Sequence, residues 1–300
     1  MADLELGRLG VWGHLDSLAI DAARAYARRV EELGYGALWV PETVGREPFA
    51  LLGLLAGSTS RIVLGTSIVG IWGHDAQTSR MAALTLSEAT GGRFALGLGV
   101  SHAHLAGKLR GHVFDRPLAR MRDYLAAYRA AVYRGPVVEG AGEPPVLVAA
   151  LRPRMTDLAA TSADGAFPYL VTPAQVGRMR SQLDAAGGDR RPLLAVTLPV
   201  VLAADPSDAG ARAAARAYLK PYLRTPTYHA SWGLQGFGPD DWQQPGGDRL
   251  VDAMVAIGDP AALGARVAEL HAAGADHVAL IPLAADGSTE ALPTLEAMAP

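Results

Sequence analysis

The chain has no cysteine among its 300 residues. That excludes disulfides, thiolate metal sites and a cysteine nucleophile, and it fits a cytoplasmic protein. Lysine is nearly missing too. Lys108 and Lys220 are the only two, and arginine supplies the rest of the 27 basic residues. The net charge is −3 and the basic residues are scattered, so no stripe of them could track phosphates and no nucleic-acid partner is expected. No apolar run reaches the ~18 residues of a membrane helix, so no membrane partner is expected. The first residues carry early acids and no apolar core, unlike a signal peptide. What remains abundant is hydrophobic residues, at half the chain, with 34 Gly and 20 Pro. A chain of this length and content can build one large core or two modest ones.

Short apolar runs alternate with helical patterns from end to end. Strands are expected over 6–12, 37–40, 62–66, 94–98, 145–149, within 163–170, over 193–203 and over 277–281. Helices are expected over 18–33, 49–56, 78–90, 117–133, 153–161, 173–186, 250–256 and 260–273, with a last helix near the end. Residues 205–247 break the rhythm with an Ala-rich helix and an aromatic, Gly/Pro-rich loop holding Tyr228, His229, Trp232, Phe237 and Trp242. A loop this aromatic is a lid, an oligomer surface or packing over the barrel bottom. Eight strands alternating with helices predict an α/β fold, a (β/α)8 TIM barrel with an insertion after strand seven, in one domain spanning 1–300. A doubly wound sheet is the runner-up, and the lack of a dividing linker counts against it.

Polar residues cluster just past several strands, where α/β folds place their chemistry. Gly97-x-Gly99-x-x-His102 follows the fourth strand. It lacks the third glycine of a dinucleotide fingerprint, and no acid closes a following strand about 20 residues on. The stretch reads as a ligand-facing turn or as a tight turn with incidental polar residues. His102 and His104 lie two apart without a third converging ligand, so no metal site is expected. Ser101 and His102 are sequence neighbours, and no Gly-x-Ser-x-Gly nucleophile turn is present. Glu42 follows the second strand directly and is read as a rim acid, base or orienting group.

Several motifs together resemble the luciferase-like monooxygenase superfamily. They are Gly34-Tyr35-Gly36-Ala37-Leu38-Trp39-Val40-Pro41-Glu42, Arg61-Ile62-Val63-Leu64-Gly65-Thr66-Ser67-Ile68 and Gly91-Gly92-Arg93-Phe94-Ala95-Leu96-Gly97-Leu98-Gly99. Ala150-Leu151-Arg152-Pro153-Arg154-Met155, Ala163-Asp164-Gly165 and Ala273-Gly274-Ala275-Asp276-His277-Val278 continue the series. Pro41-Glu42-Thr43-Val44-Gly45-Arg46-Glu47-Pro48 with Ile71-Trp72 and Val100-Ser101-His102 is most similar to the actinobacterial branch of F420-dependent oxidoreductases.

The resemblance implies a barrel with a deazaflavin or flavin ring in its mouth. The cofactor would touch Trp12, Glu42, Thr43, Ser67, Ile68, Gly99, Val100, Ser101, His102, Ala149, Ala150, Leu151 and Arg152, with its phosphate near the ends of strands four and five. It also implies a cis peptide at Ser67–Ile68. The expected activity is hydride transfer between coenzyme F420 and a small organic substrate. FMN-dependent monooxygenation and a non-catalytic cofactor-binding barrel are the alternatives. Deazaflavin relatives place Asp-His or Glu-His where this chain has Glu42-Thr43, and a glutamate near the position of His102. The expected catalytic groups are therefore His102, for proton transfer, and Glu42. A homodimer is expected, with helices 48–55 and 78–86 as candidate contact faces.

Overall fold

The computed structural model describes residues 4–284 and 290–300. Its strands are β1 (Leu9–Trp12), β2 (Ala37–Val40), β3 (Val63–Thr66), β4 (Val69–Gly70), β5 (Phe94–Gly99), β6 (Val146–Val148), β7 (Gly165–Ala166), β8 (Leu193–Leu202), β9 (Ala256–Gly258) and β10 (His277–Pro282). All pair in parallel, in the order β10-β1-β2-β3-β5-β6-β7-β8. β10 then pairs with β8 over six residues from His277↔Ala195 to Pro282↔Val200, which closes an eight-stranded barrel. β4 and β9 are short additions beside β5 and β8.

The expected elements differ from these mainly at their ends. The first strand starts at Leu9 rather than residue 6, and the sixth shrinks to Gly165–Ala166. The fourth helix stops at Ala130 rather than residue 133. The stretch 250–256 splits, because helix Asp248–Met254 ends before β9 begins at Ala256. β4 and β9, two and three residues long, are too short to carry a period. Between β8 and β9 the chain forms helices Ala209–Leu219, Pro226–Leu234, Pro239–Trp242 and Asp248–Met254.

Side chains alternate between two cores. One lies between sheet and helices, with Leu38, Val40, Leu64, Leu96, Val148, Val196 and Leu280. The other fills the barrel, with Ala37, Trp39, Ala95, Leu147, Phe167, Ala195 and Ala279. The barrel interior combines small residues with Trp39, Phe167 and Leu147. Trp39 is fully buried, and its indole N–H donates to Nε2 of His277 at 2.9 Å. A Cβ on Gly65 would come within 2.4 Å of that indole, and one on Gly10 within 2.5 Å of the His277 ring. Phe167 meets Trp39 edge-on at 4.8 Å. His277 spends its other nitrogen, Nδ1, on the Gly7 carbonyl at 2.8 Å.

The lower ends of the strands are tied by carboxylates. Asp164 accepts from the Val146 N–H, and Asp276 from the Leu194 N–H, each at 2.8 Å. Glu31 accepts from the amides of Ser60, Arg61 and Ile62 ahead of β3. Burial opposes its charge, and these bonds outweigh that, lowering its pKa to about 2.

Burial drives the His277 pKa down to about 4. Unfolding restores a value near 6.5. The unfolded chain therefore binds the extra proton, and the stability held above pH 6.5 is lost as pH falls toward 4, by about 3 kcal/mol from this group. Urea unfolding between pH 7 and pH 4 should show that loss, and His277→Gln should lack this part of the slope. Equal slopes in both proteins would refute the assignment.

Candidate active site

The C-terminal ends of the strands surround a cavity of about 1200 Å³. Ligand pockets commonly measure about 300–1000 Å³, so this one has room for more than one small molecule. Twelve of the thirteen residues expected at the cofactor line it: Trp12, Glu42, Thr43, Ser67, Ile68, Gly99, Val100, Ser101, His102, Ala149, Leu151 and Arg152. Ala150 is not among the lining residues. Its side chain is fully buried in the helix-facing core, as alternation along extended chain dictates when Ala149 and Leu151 face the cavity.

The peptide bond Ser67–Ile68 is cis, as the resemblance implied. Both flanking carbonyls are held. The Trp12 indole donates to the Ser67 carbonyl at 3.0 Å, and the Glu42 amide to the Ile68 carbonyl at 3.1 Å. A Cβ on Gly99 would lie 2.5 Å from the Ile68 side chain, so glycine is what lets Ile68 lie across β5.

Glu42 is heavily engaged. Its Oε2 accepts from the Gly70 N–H at 2.5 Å, its Oε1 pairs with the Arg110 guanidinium, and His74 Nε2 stands 3.7 Å from Oε1. Burial alone would raise its pKa. His74, the Gly70 amide and Arg110 outweigh that and hold it below the usual carboxylate range. Glu42 is thus a fixed anion that ties the segment ending at Arg110 to β4. The Thr43 hydroxyl is also spent, bonded to the Asp16 carboxylate.

His102 differs. It follows β5 after Ser101, whose φ is +55°. Its ring stacks on His104 at 5.9 Å and meets Tyr228 at 5.6 Å. Its buried Nδ1 has no hydrogen-bond partner. Burial, with His104 adding to it, pushes its pKa below the ordinary value and favours the neutral imidazole at pH 7. A neutral imidazole beside a cavity is a proton acceptor in waiting.

A sequence model of luciferase-like monooxygenases matches residues 4–277. This chain belongs to the luciferase-like monooxygenase family. A Mycobacterium tuberculosis protein named, provisionally, a coenzyme F420-dependent oxidoreductase is 28% identical to it over 85% of this chain and 82% of its own. Two solved structures share the barrel. A coenzyme F420-dependent tetrahydromethanopterin reductase from Methanopyrus kandleri superposes with a TM-score of 0.73 at 16% identity, covering 97% of each chain. The FMN-bound oxygenating constituent of a 3,6-diketocamphane monooxygenase from Pseudomonas putida gives 0.74 at 15%, covering 97% of this chain and 96% of the other.

In this luciferase-like barrel the mouth beyond β6 is cationic. Arg152 is the N-cap of helix Pro153–Ser162; its carbonyl takes the Met155 and Thr156 amides, Pro153 has no N–H, and no side chain caps the Arg154 amide. Among the described residues, the guanidiniums of Arg152 and Arg154 have no partner, and both residues are exposed at the cavity. Two unpaired guanidiniums at this helix N-terminus make a candidate anion site. Thr197 and the tyrosines Tyr169, Tyr218, Tyr222 and Tyr228 also line the cavity. Sequence reading reached only Tyr228 of these, as part of the aromatic segment, because they come from stretches up to 59 residues apart.

Glu42→Gln should loosen the segment that Arg110 anchors. The expected loss is roughly 1–2 kcal/mol, the scale of a charge-assisted hydrogen bond with partial solvent screening. Hydrogen exchange should accelerate at the Gly70 amide and through residues 102–112. Unchanged exchange there would show that Glu42 does not brace this segment.

Proposed function

We propose that this protein is an oxidoreductase that passes a hydride between coenzyme F420 and a small organic substrate. The observation that carries the reading is the cavity itself. It joins an anion site at Arg152 and Arg154 to an apolar chamber, with the unpartnered His102 Nδ1 in its wall. Such a chamber fits a planar ring with an anionic tail. The relatives named for F420 support the choice of deazaflavin. When bound, F420 supplies the carbon that gives or takes the hydride.

The chain's own residues do the rest. Arg152 and Arg154, at the N-terminus of helix Pro153–Ser162, hold the phosphate. Trp12, Ile68 and the Gly99–Ser101 turn bound the ring. His102 takes or returns the proton that accompanies hydride transfer at a substrate oxygen. The apolar walls exclude water. Glu42 orients the rim rather than transferring a proton. The protein acts as a homodimer, supported by the exposed Leu54 and Met81 on the outer faces of helices Pro48–Ala56 and Ala76–Thr90.

Titration with F420 and with FMN tests the cofactor. F420 should bind and FMN should not. Tight FMN binding without F420 affinity would replace this reading by an FMN-dependent monooxygenase. F420 binding without turnover over a broad alcohol and ketone panel would replace it by a non-catalytic barrel. Light scattering should give about twice the 31.3 kDa of one chain, and a monomer mass would refute the dimer.

His102→Gln should lower turnover about 10²–10⁴-fold and leave F420 affinity nearly intact. In the direction that removes a proton from substrate, activity needs the neutral imidazole. It should therefore fall as pH drops, with its inflection below the ordinary histidine value. Full turnover in the variant, or loss of F420 binding with turnover kept at saturation, would overturn the role.

A further inference from the structure

One wall of the cavity has a composition that cofactor binding does not explain. The chain has nine tyrosines. Four of them, Tyr169, Tyr218, Tyr222 and Tyr228, meet on this wall. Ring centroids lie 5.3 Å apart for Tyr169 and Tyr222, 5.8 Å for Tyr218 and Tyr222, and 5.0 Å for Tyr222 and Tyr228. Tyr228 then reaches His102, so the wall runs up to the proposed proton acceptor.

Three of the hydroxyls bond to one another. The Tyr169 hydroxyl donates to Tyr222 at 3.0 Å and is also bonded to Tyr218. A phenol has one proton, so Tyr169, having given its own to Tyr222, accepts from Tyr218. Phenylalanine would fill nearly the same space without polar atoms. Three hydroxyls on a largely apolar cavity wall are therefore a polar feature placed where a ligand would meet it. With protons passed from Tyr218 to Tyr169 to Tyr222, the cluster offers a guest oxygen lone pairs and the one remaining proton, on Tyr222, so a hydroxyl can both donate to it and accept from it. Burial raises the pKa of each, so the cluster stays neutral.

A second feature points the same way. Thr197 lies in β8, lines the cavity and is only 4% exposed, yet its Oγ1 has no hydrogen-bond partner. Pairing of β7 with β8 stops at Ala166↔Leu194, and β9 joins β8 only from Val200. Thr197 stands between these registers.

We infer that this wall selects the substrate, and that it selects a planar, mostly apolar molecule bearing a neutral hydroxyl, phenolic or enolic. The aromatic faces take the planar body. The tyrosine oxygens and Thr197 receive the hydroxyl. The inference takes the reacting end from the proposed oxidoreductase reading, while recognition by the wall can be measured without turnover.

The test is calorimetric titration of the full-length protein, with and without F420, using 2-naphthol, naphthalene and cyclohexanol. 2-Naphthol should bind about tenfold or more tighter than either of the others, the scale of one net hydrogen bond or of a lost planar contact. Tyr169→Phe and Tyr222→Phe should bring 2-naphthol down to the naphthalene value while naphthalene and F420 affinities stay unchanged. Equal binding of the probes to the unaltered protein would overturn the inference. So would a preference that survives both substitutions, or a parallel loss of naphthalene binding. Should Tyr169→Phe fail to fold, Tyr222→Phe decides alone. A protein that ignores F420 yet keeps the 2-naphthol preference would refute the cofactor reading and leave this one standing.

Discussion

The hydrogen bond between Trp39 and His277, buried in the barrel, is the constraint on which the rest of the structure depends. An eight-stranded barrel has room for side chains and nothing else. Here a single indole takes the central space, so the strands around it carry glycine and alanine: Gly10, Gly65, Ala37, Ala95, Ala195 and Ala279. The indole N–H needs an acceptor where no water reaches. His277 provides one, and the Gly7 carbonyl fixes its tautomer from the other side. This arrangement joins β2 to β10 through the interior, independently of the sheet. It also sets the level at which the barrel stops being core, because the cavity lies toward the C-terminal ends above it.

Two ionisable groups at the mouth are held in opposite charge states at neutral pH by one physical effect with different compensation. Glu42 is buried but supplied with a guanidinium and an amide, so it stays charged. His102 is buried beside another histidine and supplied with nothing, so it stays neutral. The mouth thus holds one fixed anion and one neutral imidazole.

The strands could be read from the sequence because those of a parallel barrel are buried on both faces and appear as short apolar runs. The motifs that carry the family resemblance turn out largely to be scaffolding. Asp164 and Asp276 tie strand ends, Arg93 donates to the carbonyls of Thr59 and Ile62, and Thr66 bonds both the amide and the carbonyl of Gly97. Their contiguity made them visible. The cavity residues next to strands were visible for the same reason, apart from Ala150, which falls on the wrong side of the alternation. What could not be read was assembled across distance. Arg110 reaches Glu42 from 68 residues away, and the tyrosine wall gathers positions 169, 218, 222 and 228. No periodicity or spacing encodes such meetings. The short β4 and β9 form only because a longer neighbour offers them an edge.

Pro199 sits in the middle of β8 and has no N–H to give. It is accommodated because β8 is paired unequally on its two flanks: six registers with β10, but only two with β7 before the gap that ends at Val200. One strand therefore divides two duties that most barrels spread around the ring. Its β10 flank carries the cohesion of the cylinder. Its other flank is unpaired between Leu194 and Val200, and the segment that follows β8 supplies Tyr218, Tyr222 and Tyr228 to the chamber. Variation in that segment can remodel what the chamber admits while the seam on the far side stays shut. A lineage built on this frame can change its diet without risking its fold.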